Sequence, residues 1–128
     1  MPRKLAQKLL RKADQDIVVI NKWYSDADVA DEILGFHAQQ ATEKLLKAVL
    51  SNAEIEFPFT HRLTDLIDLL KDHGIDFPDD LDDVRYLTPF AVEFRYDFFE
   101  QDEDPLDRED LVKLLAELRA WVSRIISS

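Results

Sequence analysis

Phe36-His-Ala-Gln-Gln-Ala-Thr-Glu-Lys-Leu-Leu-Lys-Ala-Val-Leu50 decides the fold. Together with Val29 and Ile33 upstream, Ala41, Leu45 and Ala48 form one apolar stripe at helical spacing. Phe36, Leu46, Val49 and Leu50 lie beside it and widen it. Asp28, Asp31 and Glu32 stand where a helix dipole favours carboxylates, and Lys44 and Lys47 lie towards the other end. The pattern predicts a helix over residues 27 to 51, opened by the Ser25-Asp26 break. Gly35 inside it costs about 1 kcal/mol against alanine, and the expected return is close approach of another helix. On the polar side, Gln40, Glu43 and Lys47 share one face next to His37 and Lys44, with an i,i+4 Glu43–Lys47 ion pair as the simplest account.

Helical spacing continues outward in both directions. Leu5, Leu9, Ala13, Ile17, Ile20 and Tyr24 predict a first helix over residues 2 to 25, with Leu10, Val18 and Trp23 widening its apolar face. Arg3, Lys4, Lys8, Arg11 and Lys12 make its solvated side and the one basic segment of the chain. Residues 52 to 60 read as a loop around Pro58, with Phe57 and Phe59 expected to fold back over the core. Leu63, Leu66, Ile67 and Leu70 predict a short third helix closed at His73-Gly74. A fourth helix is expected from about Asp80 to about Phe99, kinked or restarted at Thr88-Pro89. An acidic linker, residues 100 to 105, leads to a last helix capped by Asp107 or Asp104. Its face is Leu111, Leu114, Leu115, Leu118, Trp121, Val122, Ile125 and Ile126.

The expected architecture is all-α: an up-and-down bundle of about five helices in a single domain over residues 1–128. Two glycines in the whole chain argue against long hairpins and phosphate-cradling loops. A net charge of −11 argues against broad, nonspecific nucleic-acid binding. There is no cysteine, so neither a disulfide framework nor a thiolate site is available. No apolar leader and no run long enough for a membrane span is visible, so a soluble cytoplasmic protein is expected.

Few residues point to chemistry by themselves. Arg95 stands beside the aromatic stripe of Val84, Leu87, Ala91, Phe94 and Phe98, where a guanidinium needs an anion, a carbonyl or a ring. It is either a packing anchor or the centre of a site. His37 flanks the core stripe, His61 opens the third helix and His73 closes it, and each is most simply structural. Neither His-x3-His nor Glu-x-x-His spacing occurs, so no metal site and no cofactor is expected.

The stretch Phe36 to Leu50 resembles the signature helix of the HEPN family (higher eukaryote and prokaryote nucleotide-binding domains). Phe57-Pro-Phe-Thr-His-Arg-Leu63 resembles the family's next segment, and Phe94-Arg-Tyr-Asp97 its arginine segment. In this order the resemblance runs from about Leu5 to Ile126. It implies an all-helical dimer, and pairing with a minimal nucleotidyltransferase in a toxin–antitoxin-like module. It also implies a groove that takes a nucleotide or RNA. Arg95, Tyr96, Asp97, His37, Gln40, Glu43, Lys44 and Lys47 would form that ligand or dimer surface. Many relatives are metal-independent ribonucleases, with an arginine followed after four to six residues by a histidine. Here Arg95 is followed at those positions by Glu100, Gln101 and Asp102, and no histidine lies beyond His73. The expectation is therefore a non-catalytic, homodimeric interaction module. The alternative is a divergent ribonuclease toxin using Arg95 with Tyr96 or His37.

Overall fold

The computed structural model describes residues 2–91 and 105–127. In chain order these form α1 (Pro2–Trp23), α2 (Asp31–Asn52), α3 (Leu63–Asp72), a 3-10 helix (Asp79–Ala91) and α4 (Arg108–Ser127). The fold is an all-α helical bundle. The arginine segment with Arg95, Tyr96 and Asp97, and most of the acidic linker, lie outside the described residues.

α2 is the axis of the bundle. Thirteen of its 22 residues are buried, too many for one stripe, so it is wrapped on most sides. It packs against α1, α3, the 3-10 helix and α4. The core around it includes Leu34, Leu45, Leu46 and Leu50, with Leu66, Ile67 and Leu70 of α3 and Leu115 and Leu118 of α4. Each fully buried leucine or isoleucine contributes roughly 1.5–3 kcal/mol relative to exposure. α1 lies antiparallel on α2 through buried Ala6, Ala13 and Ile20, seven residues apart.

Several expected faces are rotated. On α1, Ala13 and Ile20 of the expected stripe are buried, but Leu5, Val18 and Trp23 are exposed and Ala6 is buried in addition. On α2, Leu34 is buried and Ile33 is exposed. α2 also starts later than expected, because residues 24–30 are spent on turns. The Asp28 amide donates to Asp26 Oδ1 at 2.8 Å and the Val29 amide to the Asp26 carbonyl at 3.1 Å. Phe57 packs on the core, but Phe59 is 97% exposed and does not fold back.

The largest correction is the fourth helix. Residues 79–91 form a 3-10 helix that runs through Pro89 without restarting. Its burial repeats every third residue: Leu81, Val84 and Leu87 are buried, whereas Asp80, Asp83, Tyr86 and Pro89 are exposed. That is the eclipsed pattern a three-residue turn produces. Thr88 does not cap its own helix. Its Oγ1 accepts the Leu63 amide at 3.2 Å and so caps α3, whose own cap residue, Arg62, makes no side-chain cap bond.

The C-termini follow chain chemistry closely. After α3, Gly74 takes φ +78°, with Ile75 N–H to Leu70 O at 3.0 Å and Gly74 N–H to Lys71 O at 3.0 Å, a Schellman motif. After α2 the same motif recurs with Glu54 at φ +61° in the glycine position. Ile55 N–H reaches Leu50 O at 2.9 Å and Glu54 N–H reaches Ser51 O at 3.0 Å. Asp107 Oδ1 accepts the Asp110 amide at 3.0 Å and caps α4. Among the described residues, no helix is long and apolar enough to cross a membrane.

Candidate functional site

A helix buried on most sides cannot hold charged residues without partners. α2 solves this with two buried carboxylates, each gripping one imidazole and one lysine. The first is Asp16, on the buried side of α1 between Ala13 and Ile20. Its Oδ1 accepts from His37 Nδ1 at 2.9 Å and its Oδ2 from Lys44 Nζ at 2.6 Å, both from α2.

The second is Glu43 of α2. Its Oε1 accepts from His61 Nδ1 at 2.8 Å and from Gln39 Nε2 at 3.0 Å, and its Oε2 accepts from Lys47 Nζ at 3.0 Å. Gln39 is fully buried and completes the network: its Nε2 reaches the His61 carbonyl at 3.1 Å, and its Oε1 accepts from Gln40 Nε2 at 2.7 Å. Lys47 Nζ lies 5.7 Å from the ring centre of Phe57 and 5.9 Å from that of Phe59. Phe59 meets His61 edge-on, with ring centres 6.0 Å apart.

Burial pushes the Glu43 carboxyl up. The hydrogen bonds from His61, Gln39 and Lys47, with the charge of Lys47, outweigh it and hold the group below its ordinary value. An ionised carboxylate only accepts, so His61 Nδ1 carries the proton and donates. Nε2 is then left without a partner in this cluster, on a side chain that is 53% exposed. This is the arrangement that orients an imidazole as a base. His37 is the less accessible of the two, at 27%. His73 closes α3 with Nδ1 3.0 Å from the Leu69 carbonyl.

The expected ligand face is thus divided. His37 and Lys44 are drawn to α1 by Asp16, whereas Gln40, Glu43 and Lys47 belong to the cluster beside α3. Arg95, Tyr96 and Asp97 lie outside the described residues. Asp16, Gln39 and His61 were not anticipated as members. The signal for Asp16 was its spacing: an acid three residues after Ala13 and four before Ile20 sits on the buried face.

Other charged groups serve the fold. Arg108 Nε binds Asp31 Oδ1 at 2.9 Å; Nη1 reaches the carbonyls of Asp26 at 2.9 Å and Tyr24 at 3.2 Å, and Nη2 that of Val29. It ties the start of α4 to the α1–α2 connection. Arg119 forks onto Asp14 with bonds of 2.7 and 3.2 Å. A hydrogen bond to Asp82 leads the causes that raise Arg85 above its ordinary value. The five basic residues of the first α1 turns are all exposed, as a solvated face would be. Among the described residues, no group of His, Asp and Glu could hold a metal ion, and no buried side-chain polar atom lacks a partner.

No curated protein matches the chain. Among solved structures, the crystal structure of TT1696 from Thermus thermophilus is similar, with a TM-score of 0.72 at 25% identity, covering 98% of this chain and 99% of that one. The family model for the HEPN domain matches residues 6–125, so that α2, with both carboxylate clusters, falls inside the match: the chain belongs to the HEPN domain family.

Proposed function

We propose that this chain is a HEPN interaction module: a cytoplasmic homodimer that partners a minimal nucleotidyltransferase in a toxin–antitoxin-like system, with a nucleotide as a further ligand. The observation that supports it best is how the polar side chains of α2 are used. His37 and Lys44 are committed to Asp16 and so tie α2 to α1, and Lys47 and Gln39 are committed to Glu43 within α2 itself. The sequence adds that Glu100, Gln101 and Asp102 stand where a ribonuclease of this family would carry its histidine. Carboxylates there repel an RNA backbone. Mixing the purified chain with a nucleotidyltransferase encoded beside it, followed by size-exclusion chromatography, tests the reading. A shared peak is expected, and separate elution at concentrations well above micromolar counts against it.

One observation favours a second reading, a divergent ribonuclease using Arg95. His61 is oriented by Glu43 and keeps half of its surface open, so an aligned imidazole is present even though the usual one is missing. This reading predicts RNA cleavage that disappears in Arg95→Ala and in His61→Ala. Intact RNA after prolonged incubation with the wild-type protein removes it.

A further inference from the structure

Charge is placed unevenly in this chain. α1 carries six of the 16 lysines and arginines but only two of the 27 acids. Both acids are engaged within the bundle: Asp16 with His37 and Lys44, and Asp14 with Arg119. The six cations, Arg3, Lys4, Lys8, Arg11, Lys12 and Lys22, are all exposed. No ion pair among the described residues includes any of them.

Their spacing makes a line. Lys4, Lys8, Arg11, Gln15, Val18 and Lys22 follow one another at steps of three and four, so they form one outward ridge of α1. At 1.5 Å per residue the ridge is about 27 Å long. It contains no acid, whereas a face that only has to stay wet mixes both signs. Apolar side chains are set into the same face. Val18, 62% exposed, stands in the ridge. Leu5 and Trp23, also exposed, lie beside it, with Lys22 Nζ 5.3 Å from the Trp23 ring centre. Lysine, arginine, tryptophan and leucine side by side are the residues that settle at the headgroup level of a bilayer. A nucleic-acid backbone would take the cations and leave Val18 and Leu5 in water. A flat anionic surface takes both.

We propose that this face of α1 docks on the anionic lipid surface of a membrane, with the helix axis parallel to the headgroup plane and the acidic remainder of the bundle turned away. The net charge of −11 does not oppose this. A helix is about 10 Å across, more than the Debye length of about 8 Å at physiological salt, so α1 holds the acids behind it out of reach of the lipid. The contact is peripheral, since none of the described helices is long and apolar enough to cross a membrane. Each cation at such a surface strengthens binding about fivefold, the equivalent of about 1 kcal/mol. The docking does not depend on the nucleotidyltransferase partner.

Vesicle flotation of the full chain tests it, with circular dichroism to check folding. At about 0.1 M salt the wild type floats with vesicles of phosphatidylserine and phosphatidylcholine in equal parts, and about 1 M salt releases it. It stays behind when the vesicles are phosphatidylcholine alone. Lys8→Gln/Arg11→Gln removes two cations of the ridge and weakens the binding on the order of twentyfold. Val18→Ser keeps every charge and weakens it severalfold. Lys71→Gln, on α3, leaves it unchanged. A wild type that ignores the phosphatidylserine vesicles at low salt overturns the proposal. Full binding by the Lys8/Arg11 or the Val18 variant does the same, as does an equal loss in Lys71→Gln. Single-stranded RNA bound through the same cations, with the vesicles ignored, gives the face to nucleic acid and overturns it too.

Discussion

The ring of Phe90 lies directly on Gly35. A Cβ built on Gly35 would stand 2.2 Å from Cδ1 and 2.5 Å from Cγ of that ring, closer than carbon atoms approach. The glycine in the middle of α2 is therefore the seat on which the end of the 3-10 helix rests. Gly35→Ala removes a helix-propensity cost of about 1 kcal/mol but drives a methyl into the ring. The clash is worth about 1–3 kcal/mol and wins. Urea unfolding should show Gly35→Ala less stable than wild type, with much of the loss recovered in Gly35→Ala/Phe90→Ala relative to Phe90→Ala alone.

Glu54 occupies the left-handed position after α2 that glycine fills after α3. A non-glycine residue there costs about 1–2 kcal/mol. Glu54 is exposed, so nothing else is lost on replacement. Glu54→Gly is expected to stabilise the chain by about 1 kcal/mol, less the added freedom of the unfolded glycine. Thermal or urea melts check the sign.

Glu43 gives stability a pH dependence. Its folded-state value lies below the ordinary 4.5, so the unfolded chain binds its proton first as pH falls. The contribution is complete above the ordinary carboxyl value and is lost as pH falls through the depressed one. Glu43→Gln should cost roughly 3 kcal/mol near neutrality, because His61 and Lys47 lose a charged partner. That difference from wild type should shrink as pH drops from about 7 towards 3. Parallel denaturation series of the two proteins measure it; a gap independent of pH contradicts the account.

Arg108 spends its guanidinium on one carboxylate and three carbonyls at the α1–α2 connection. Arg108→Ala leaves those acceptors without it and should destabilise by roughly 3 kcal/mol. Arg108→Lys should recover little, since an ammonium cannot reach a planar set of four acceptors. Chemical denaturation of the three proteins distinguishes the outcomes.

Helix content and order were legible because the apolar spacing of α3 and α4 is regular and their ends carry Gly74 and Asp107. The rotation of α1 was less so. Ala13 and Ile20 of the predicted stripe are buried, but packing against α2 adds Ala6, where backbones can come close, and leaves Leu5 and Val18 exposed. The 3-10 helix is hard to read from the sequence for a specific reason. Leu81, Val84, Leu87 and Phe90 repeat by three without a four-residue step, which is its signature, yet Ala91 allowed an α-helical stripe to be drawn instead. At the site, Glu43 and Lys47 were visible as an i,i+4 pair. Asp16 and His61 were not, because their partners lie 21 and 18 residues away and only the fold brings them together.

α2 joins these observations as the proposed scaffold for partner binding. The most direct measurement is size exclusion with light scattering on this chain co-expressed with a minimal nucleotidyltransferase of the proposed partner class. One species is predicted, with a mass equal to a dimer of this chain plus bound partner. Elution of the two proteins at their separate masses would contradict the scaffold role.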